Sequence, residues 1–167
     1  MNLTIRNASI EDLQTIQNLN NELCKYETKN KFDNYIEDWS LSNVSKEYFE
    51  YMIKYEFVIV AEIDNNVVGY LAGSTHKDET YSYYEGITAE LDNMFIKEEY
   101  RKFGIGSKLV NSFMDWCKKK NAKRVMVTAS FGNVNTINFY KKNGFKEINV
   151  TLRSEIDWFF HFDHLHS

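Results

Sequence analysis

The run Leu91-Asp92-Asn93-Met94-Phe95-Ile96-Lys97-Glu98-Glu99-Tyr100-Arg101-Lys102-Phe103-Gly104-Ile105-Gly106 passes from a strand pattern into the mouth of a helix. Ile87–Ile96 reads as the strand. Ile105, Leu109, Val110, Phe113, Trp116 and Cys117 form one apolar stripe, so Ile105–Lys120 reads as an amphipathic helix. Lys118, Lys119 and Lys120 stand at its negative C-terminal end. Gly104 and Gly106 sit where the helix begins. Glycine there lets backbone pass close to a ligand, and the first amides of a helix have no partner inside it. The helix dipole adds partial positive charge, and Arg101 and Lys102 add full charges. The stretch Arg101–Gly106 is thus an anion site suited to a phosphate group.

Spacing excludes two common phosphate loops. A dinucleotide fingerprint needs a third glycine where Leu109 stands. A nucleoside-triphosphate loop needs lysine directly after glycine, and Ser107 intervenes before Lys108.

Outward from this stretch the elements alternate. Leu3–Ala8 reads as an edge strand, and Ser9 as an N-cap with Asp12 three residues on. Leu13, Ile16, Leu19 or Asn20, and Leu23 predict a helix over Ile10–Lys25. Tyr26–Ser42 reads as a loop or broken helix, and Ser45–Lys54 as a second helix with Val44, Tyr48, Tyr51 and Met52 facing inward. Phe57–Ile63, the turn Asp64-Asn65-Asn66 and Val67–Ser74 make a hairpin. After the central helix come a strand over Lys123–Ala129, a helix over Asn133–Asn143 stopped by Asn143-Gly144, and a strand over Phe145–Leu152. Glu155–Phe162 is a candidate last strand. The order predicts an α/β (α+β) domain: a mixed sheet with helices on both faces.

The pattern Arg101-x-x-Gly104-x-Gly106, following the strand Leu91…Met94…Ile96, resembles the pyrophosphate loop of the GNAT superfamily of N-acetyltransferases. The later run Asn133-x-x-Thr136-x-x-x-Tyr140-Lys141-Lys142-x-Gly144-Phe145 is similar to a second segment of that family. The resemblance covers about Leu3 to Leu152 and is most specific between Glu90 and Phe145. Three features depart from it. Lys102 stands where many relatives have glycine, Thr136 replaces the usual alanine, and the connection from Val127 to Asn133 looks longer than in many members. The resemblance implies a mostly antiparallel central sheet of six to seven strands, about four flanking helices, and fourth and fifth strands that splay apart.

The resemblance also implies that the chain binds acetyl-CoA as acyl donor. The pantetheine arm would pair with the backbone of Met94, Phe95 and Ile96, as an added strand would. The pyrophosphate would lie on amides of Arg101, Lys102, Phe103, Gly104, Ile105 and Gly106. Tyr140 matches a tyrosine near the cofactor sulfur, and read alone it is a helix residue packing beside Phe139. Glu90 matches a general base of the histone-acetylating members, and Asp92 is the next residue on the same face of a regular strand. Both also read as cation binders or as a solvated edge. Asn133 matches an asparagine that bonds the pantetheine arm, and it also reads as an N-cap. The implied activity is transfer of acetyl to a primary amine, with a small molecule favoured over a protein lysine or N-terminus. The alternative is a non-catalytic acyl-CoA-binding module.

Composition bounds the rest. The 167 residues suit one domain spanning 1–167. The N-terminus lacks a basic lead and a long apolar run, so a cytoplasmic protein without a membrane segment is expected. Cys24 and Cys117 fall at apolar helix positions and read as reduced core thiols. A net charge of −4 argues against nucleic acid as partner. Tyr81-Ser82-Tyr83-Tyr84-Glu85 and the loop Tyr26–Trp39, with Asp33, Glu37, Asp38 and Glu79, are acidic and aromatic, which suits a cationic acceptor or an ordinary surface. His161, Asp163, His164 and His166 offer metal-ligand chemistry, but the tail reads as frayed or packed and no metal is expected. A monomer or a homodimer is expected.

Overall fold

The computed structural model describes residues 2–32, 35–36, 38–77 and 85–154. Five strands form one sheet in the order of the chain: β1 (Leu3–Asn7), β2 (Phe57–Ile63), β3 (Asn66–Lys77), β4 (Ile87–Ile96) and β5 (Ala122–Val127). The first three pairings are antiparallel and β4–β5 is parallel. Helices α1 (Leu13–Lys29) and α2 (Asn43–Tyr55) cover one face, and α3 (Ile105–Lys119) covers the other. Helix α4 (Val134–Lys142) follows β5.

Strand alternation sorts the two faces. Ile59, Ala61, Ile63, Leu71, Ala89 and Leu91 pack with Ile105, Leu109, Val110 and Phe113 of α3. Val58, Val60, Tyr70, Ala72 and Phe95 pack with Leu13, Ile16 and Leu19 of α1 and with Phe49 and Met52 of α2. The β2–β3 hairpin turns on Asp64 and Asn65, both with positive φ, which suits a two-residue turn whose twist matches its strands. At the sheet edge, Arg6 donates to both carboxylate oxygens of Asp12 (2.7 and 2.9 Å) and to Glu62 (2.9 Å), joining β1, the start of α1 and β2.

The α/β class and the two-sided mixed sheet agree with the sequence reading, and several details correct it. The described residues hold five strands, not six to seven. Phe145–Leu152 carries no ladder. Its alternation of Ile148, Val150 and Leu152 marks one face but supplies no sheet edge to receive it, and these side chains are 65%, 78% and 90% exposed. The candidate strand Glu155–Phe162 lies outside the described residues. Helix α1 begins three residues later than expected, after a 3-10 turn at Ile10–Asp12, and runs on to Lys29. The inward face of α2 is Phe49 and Met52, whereas Val44 and Tyr51 are exposed. Two adjacent turns of tyrosines and apolar residues gave the pattern two competing faces, and Phe49 won because its ring reaches Tyr70 at 6.0 Å.

Gly73 marks the tightest approach between sheet and helix. A Cβ there would run into the Phe113 ring and the Glu90 carbonyl, the latter at 2.9 Å. Gly73→Ala should lower unfolding stability by about 1–3 kcal/mol through overpacking. Urea denaturation checks this; an unchanged midpoint would mean that Phe113 is free to move aside.

Candidate active site

The site begins where β4 loses one neighbour. Its antiparallel pairing with β3 runs the whole way from Lys77↔Ile87 to Gly69↔Ile96. Its parallel pairing with β5 stops at Leu91↔Val127. From Asp92 to Ile96 the second edge faces no described strand, so β4 and β5 splay there as expected. Met94 and Ile96 pack toward α3 and Phe95 toward α1, which leaves the backbone of this stretch as its open feature.

A bulge sits at the point of divergence. Ala72 opposes Asn93 and Gly73 opposes Leu91, so Asp92 has no partner on β3. Leu91 and Met94 both pack on the α3 side. Asn93 lies toward α1 and α2, bonded to Asn20 and Tyr48. The charges of Asp92 and Glu90 both act on the Tyr48 phenol, which sets the two carboxylates near the partner of Asn93. A regular strand would have sent Asn93 to the opposite face, and no local pattern in the sequence announces the extra residue.

Burial lifts the Asp92 carboxyl to about 6, with a hydrogen bond from Ser74 opposing the shift and the charges of Glu90 and Glu56 adding to it. Asp92 is nevertheless solvent-exposed, so it is a carboxylate drawn partly out of water rather than one sealed in the core.

Beyond Ile96 the chain makes one 3-10 turn and enters the glycine loop. Arg101 turns back: its Nε donates to the Ile96 carbonyl (2.8 Å), and its guanidinium stands 5.2 Å from both the Tyr26 and Phe95 ring centres. Its first job is therefore to pin the end of β4 under α1. Lys102 has φ +68, which explains why glycine suits that position. Gly104 has φ +76 and caps α3 with no side-chain bond. The first helical bond runs from the Lys108 amide to the Gly104 carbonyl (3.2 Å), leaving the amides of Ile105, Gly106 and Ser107 ahead of it. Phe103 is exposed at the loop tip.

Gly106 explains how the loop and Tyr140 meet. A Cβ there would lie 3.0 Å from the Phe139 ring and 3.4 Å from Ile96 Cδ1, so α3, α4 and β4 converge on a position where a larger residue must push a neighbour aside. The next residue, Tyr140, is buried, with Phe139 and Phe145 edge-on to its ring at 5.3 and 5.4 Å. Burial raises its phenol well above the ordinary tyrosine value, and the charge of Glu27 adds to the rise. Like any tyrosine it keeps its proton at neutral pH, and the rise puts ionisation further out of reach. Asn133 is buried and accepts from the Thr136 amide (3.2 Å), so it caps α4 and retains its own amide group as a donor.

The end of α1 roofs this region. Tyr26 lies over Arg101, and the Phe32 carbonyl accepts from Ser130 Oγ in the loop after β5 (2.6 Å). This contact set, with Asn20, Tyr48 and Glu27, was missed in the sequence; Asn20 on an otherwise apolar stripe was its one visible sign. Asp33, Glu37, Glu79, Tyr81–Tyr84 and the histidine tail lie outside the described residues. Among the described residues no group of three or more His, Cys, Asp or Glu gathers as a metal site, and no helix is long and apolar enough to cross a membrane. Cys24 and Cys117 are free and buried.

The model of the acetyltransferase (GNAT) family matches residues 16–145, and the chain belongs to that family. A spermidine N(1)-acetyltransferase of Thermoplasma acidophilum is 30% identical over 148 residues, 87% of this chain and 89% of that protein. An uncharacterized N-acetyltransferase of Methanocaldococcus jannaschii is 27% identical over 149 residues, 88% of this chain. The chain spans 62% of that relative's length, and 65% of two other archaeal relatives. The fold is shared with the aminoglycoside N-acetyltransferase AAC(6')-Iy, solved with the bisubstrate analogue CoA-S-monomethyl-acetylneamine: TM-score 0.73, 16% identity, 94% of this chain and 99% of that one.

The bulge carries its own test. Asp92 should titrate near pH 6, protonated below and ionised above, in contrast to an ordinary aspartate near 4. Carboxyl-carbon NMR with Asp92→Asn as the assignment control reads this directly. A midpoint near 4 would place the carboxylate in open water.

Proposed function

We propose that the protein transfers the acetyl group of acetyl-CoA directly to a primary amine within a ternary complex. The observation that carries the reading is the open edge of β4 running straight into an uncapped helix mouth. An extended amide-bearing arm finds strand-like partners at Met94–Ile96, and a pyrophosphate finds the amides of Arg101–Gly106 a few residues on. One ligand with both features in that order is coenzyme A.

The chemistry follows from what borders the open edge. The acceptor must attack as a neutral amine, so its ammonium first gives up a proton. Asp92 is the favoured base, because a carboxyl near 6 is ionised at neutral pH yet basic enough to take that proton; Glu90 supports it by charge. The nitrogen lone pair attacks the thioester carbon, and an amide on the open edge of β4 donates to the developing oxyanion. The carbon–sulfur bond then breaks, Tyr140 gives its proton to the departing thiolate, and the second proton of the attacking nitrogen passes back to the tyrosinate, which leaves the amide, the free CoA thiol and a protonated Asp92. Asn133 donates its free amide hydrogens to the pantetheine arm.

The acceptor side is built from α1, α2 and the start of β4, where Glu56, Glu90 and Asp92 supply negative charge. That favours a cationic small-molecule amine, in keeping with the spermidine-acetylating relative. Release of free CoA thiol should be stimulated by at least one member of a panel holding spermidine, neamine and an alanine-initiated peptide. Tight acetyl-CoA binding with no stimulated release would leave a non-catalytic acyl-CoA-binding module.

Two variants separate donor binding from chemistry. Gly104→Glu meets open space, so the fold should survive with a backbone cost of about 1 kcal/mol, while the new charge abolishes acetyl-CoA binding in calorimetry. Unaltered affinity would move the pyrophosphate elsewhere. Tyr140→Phe should lower kcat about 10- to 100-fold with little change in acetyl-CoA affinity. Wild-type turnover would remove the phenol from the mechanism.

A further inference from the structure

We infer that Asn93 is a positioning residue for the transfer step, gripped from two helices so that the bulge of β4 keeps one orientation. This rests on the proposed function. The grip is a directional chain of hydrogen bonds. Asn20 of α1, 2% exposed, donates from Nδ2 to Tyr70 Oη (2.9 Å) and to Asn93 Oδ1 (3.4 Å). Because Asn93 accepts with its oxygen, its nitrogen points the other way and donates to Tyr48 Oη of α2 (3.2 Å).

Each anchor is itself fixed. Tyr70 is fully buried in β3, the neighbour of β4. The Tyr48 ring packs edge-on against Phe49 at 4.9 Å, and Phe49 is fully buried against Tyr70. Cys24 Sγ, one helical turn beyond Asn20, accepts from Ser40 Oγ (3.3 Å), and the Ser40 carbonyl takes hydrogen bonds from Gln17 Nε2 and Ser45 Oγ. Two helices are thereby bonded to each other and, through one side chain, to the bulge.

The cost of such a network indicates its use. Buried amides and phenols must be desolvated, and an apolar cluster at the same place would stabilise the fold at least as well. What hydrogen bonds add is direction. Asn93 follows the one β4 residue that has no β3 partner, so the ladder alone holds the peptide groups there weakly. The side-chain bonds supply the missing constraint, at the place where the edge opens toward the thioester. A tilt in those peptide groups misaligns the oxyanion donor and Asp92 together, while the pyrophosphate loop is untouched.

The test compares Asn93→Leu, close in volume but unable to make either bond, with Tyr48→Phe, which removes one oxygen atom. With the panel amine that wild-type protein turns over fastest, kcat should fall about 10-fold or more for Asn93→Leu and less for Tyr48→Phe. Acetyl-CoA Kd should stay within about threefold, and the double variant should be no slower than Asn93→Leu alone. Should Asn93→Leu fail to fold, Tyr48→Phe carries the test. Wild-type kcat per acetyl-CoA-binding site, with only a lowered unfolding midpoint, would overturn the inference and leave Asn93 as core filling. A second readout needs no turnover: acetyl-CoA should slow amide hydrogen exchange across Leu91–Ile96 in wild type and do so less in Asn93→Leu at saturation. Equal protection in both would also overturn the inference. If wild-type protein acetylates nothing, the functional reading fails, and the exchange comparison still decides the role of Asn93.

Discussion

One constraint organises this molecule: β4 is bonded along one edge from end to end save at the Asp92 bulge, and along only half of the other. Backbone amides and carbonyls that lose a ladder partner inside a protein must find another one or face water. Here the unpaired half lies between two packed layers, with Met94, Phe95 and Ile96 committed to the cores on either side and Asp92 exposed. The opening is therefore a slot lined by main chain, and its shape is set by the strands around it rather than by the residues in it. Every other part of the site is an answer to how that slot stays open. Arg101 ties its far end to α1, Gly106 brings α3 and α4 together at its mouth, and Phe32 and Ser130 join the loops on its two sides.

The two ends of the slot differ in physical character. At the Gly104 end the groups are amides at a helix start, held by the helix itself and aided by its dipole, which is worth roughly 0.3–1 kcal/mol to an anion at an exposed terminus. At the Asp92 end the groups are side chains in partial burial, where a few ångströms decide a protonation state. Desolvation lifts Asp92 to about 6, so that it is still ionised at neutral pH, and raises the Tyr140 phenol, which is protonated there in any case. The Asp92 value does not follow from residue type; it follows from how far the carboxyl has been drawn out of water.

That difference also explains which parts of the site could be read from sequence. The strand Ile87–Ile96, the helix after it and the glycines between them obey local rules, so their pattern carried the fold class and the course of the loop. Gly144 stopping α4 with φ +92, and Asn133 capping it, were legible for the same reason. The bulge at Asp92 was not, because an inserted residue changes no propensity and reveals itself only by its partner strand. The partners of Asn93 lie 73 and 45 residues away, and such pairs leave no mark on a single sequence beyond a polar residue in an apolar stripe. Ile148, Val150 and Leu152 failed in the converse way: the alternation is present, yet strand formation depends on an edge elsewhere in the fold.

The same division bears on how this fold accommodates many acceptors. A fold set by main-chain geometry tolerates substitution wherever the strand, the turn and the helix start survive, so it is shared at 16% identity with a chain of TM-score 0.73. Lys102 illustrates the tolerance: it occupies a left-handed conformation at a cost of about 1–2 kcal/mol, and the loop keeps its course. An acceptor site made of side chains from α1, α2 and β4 has no such latitude, since each replacement alters charge, reach or burial. Under the proposed function, specificity is accordingly to be sought among Glu56, Glu90, Asp92 and the helix residues facing them. On that same proposal, the glycine loop holds the donor and leaves the choice of amine to that other face.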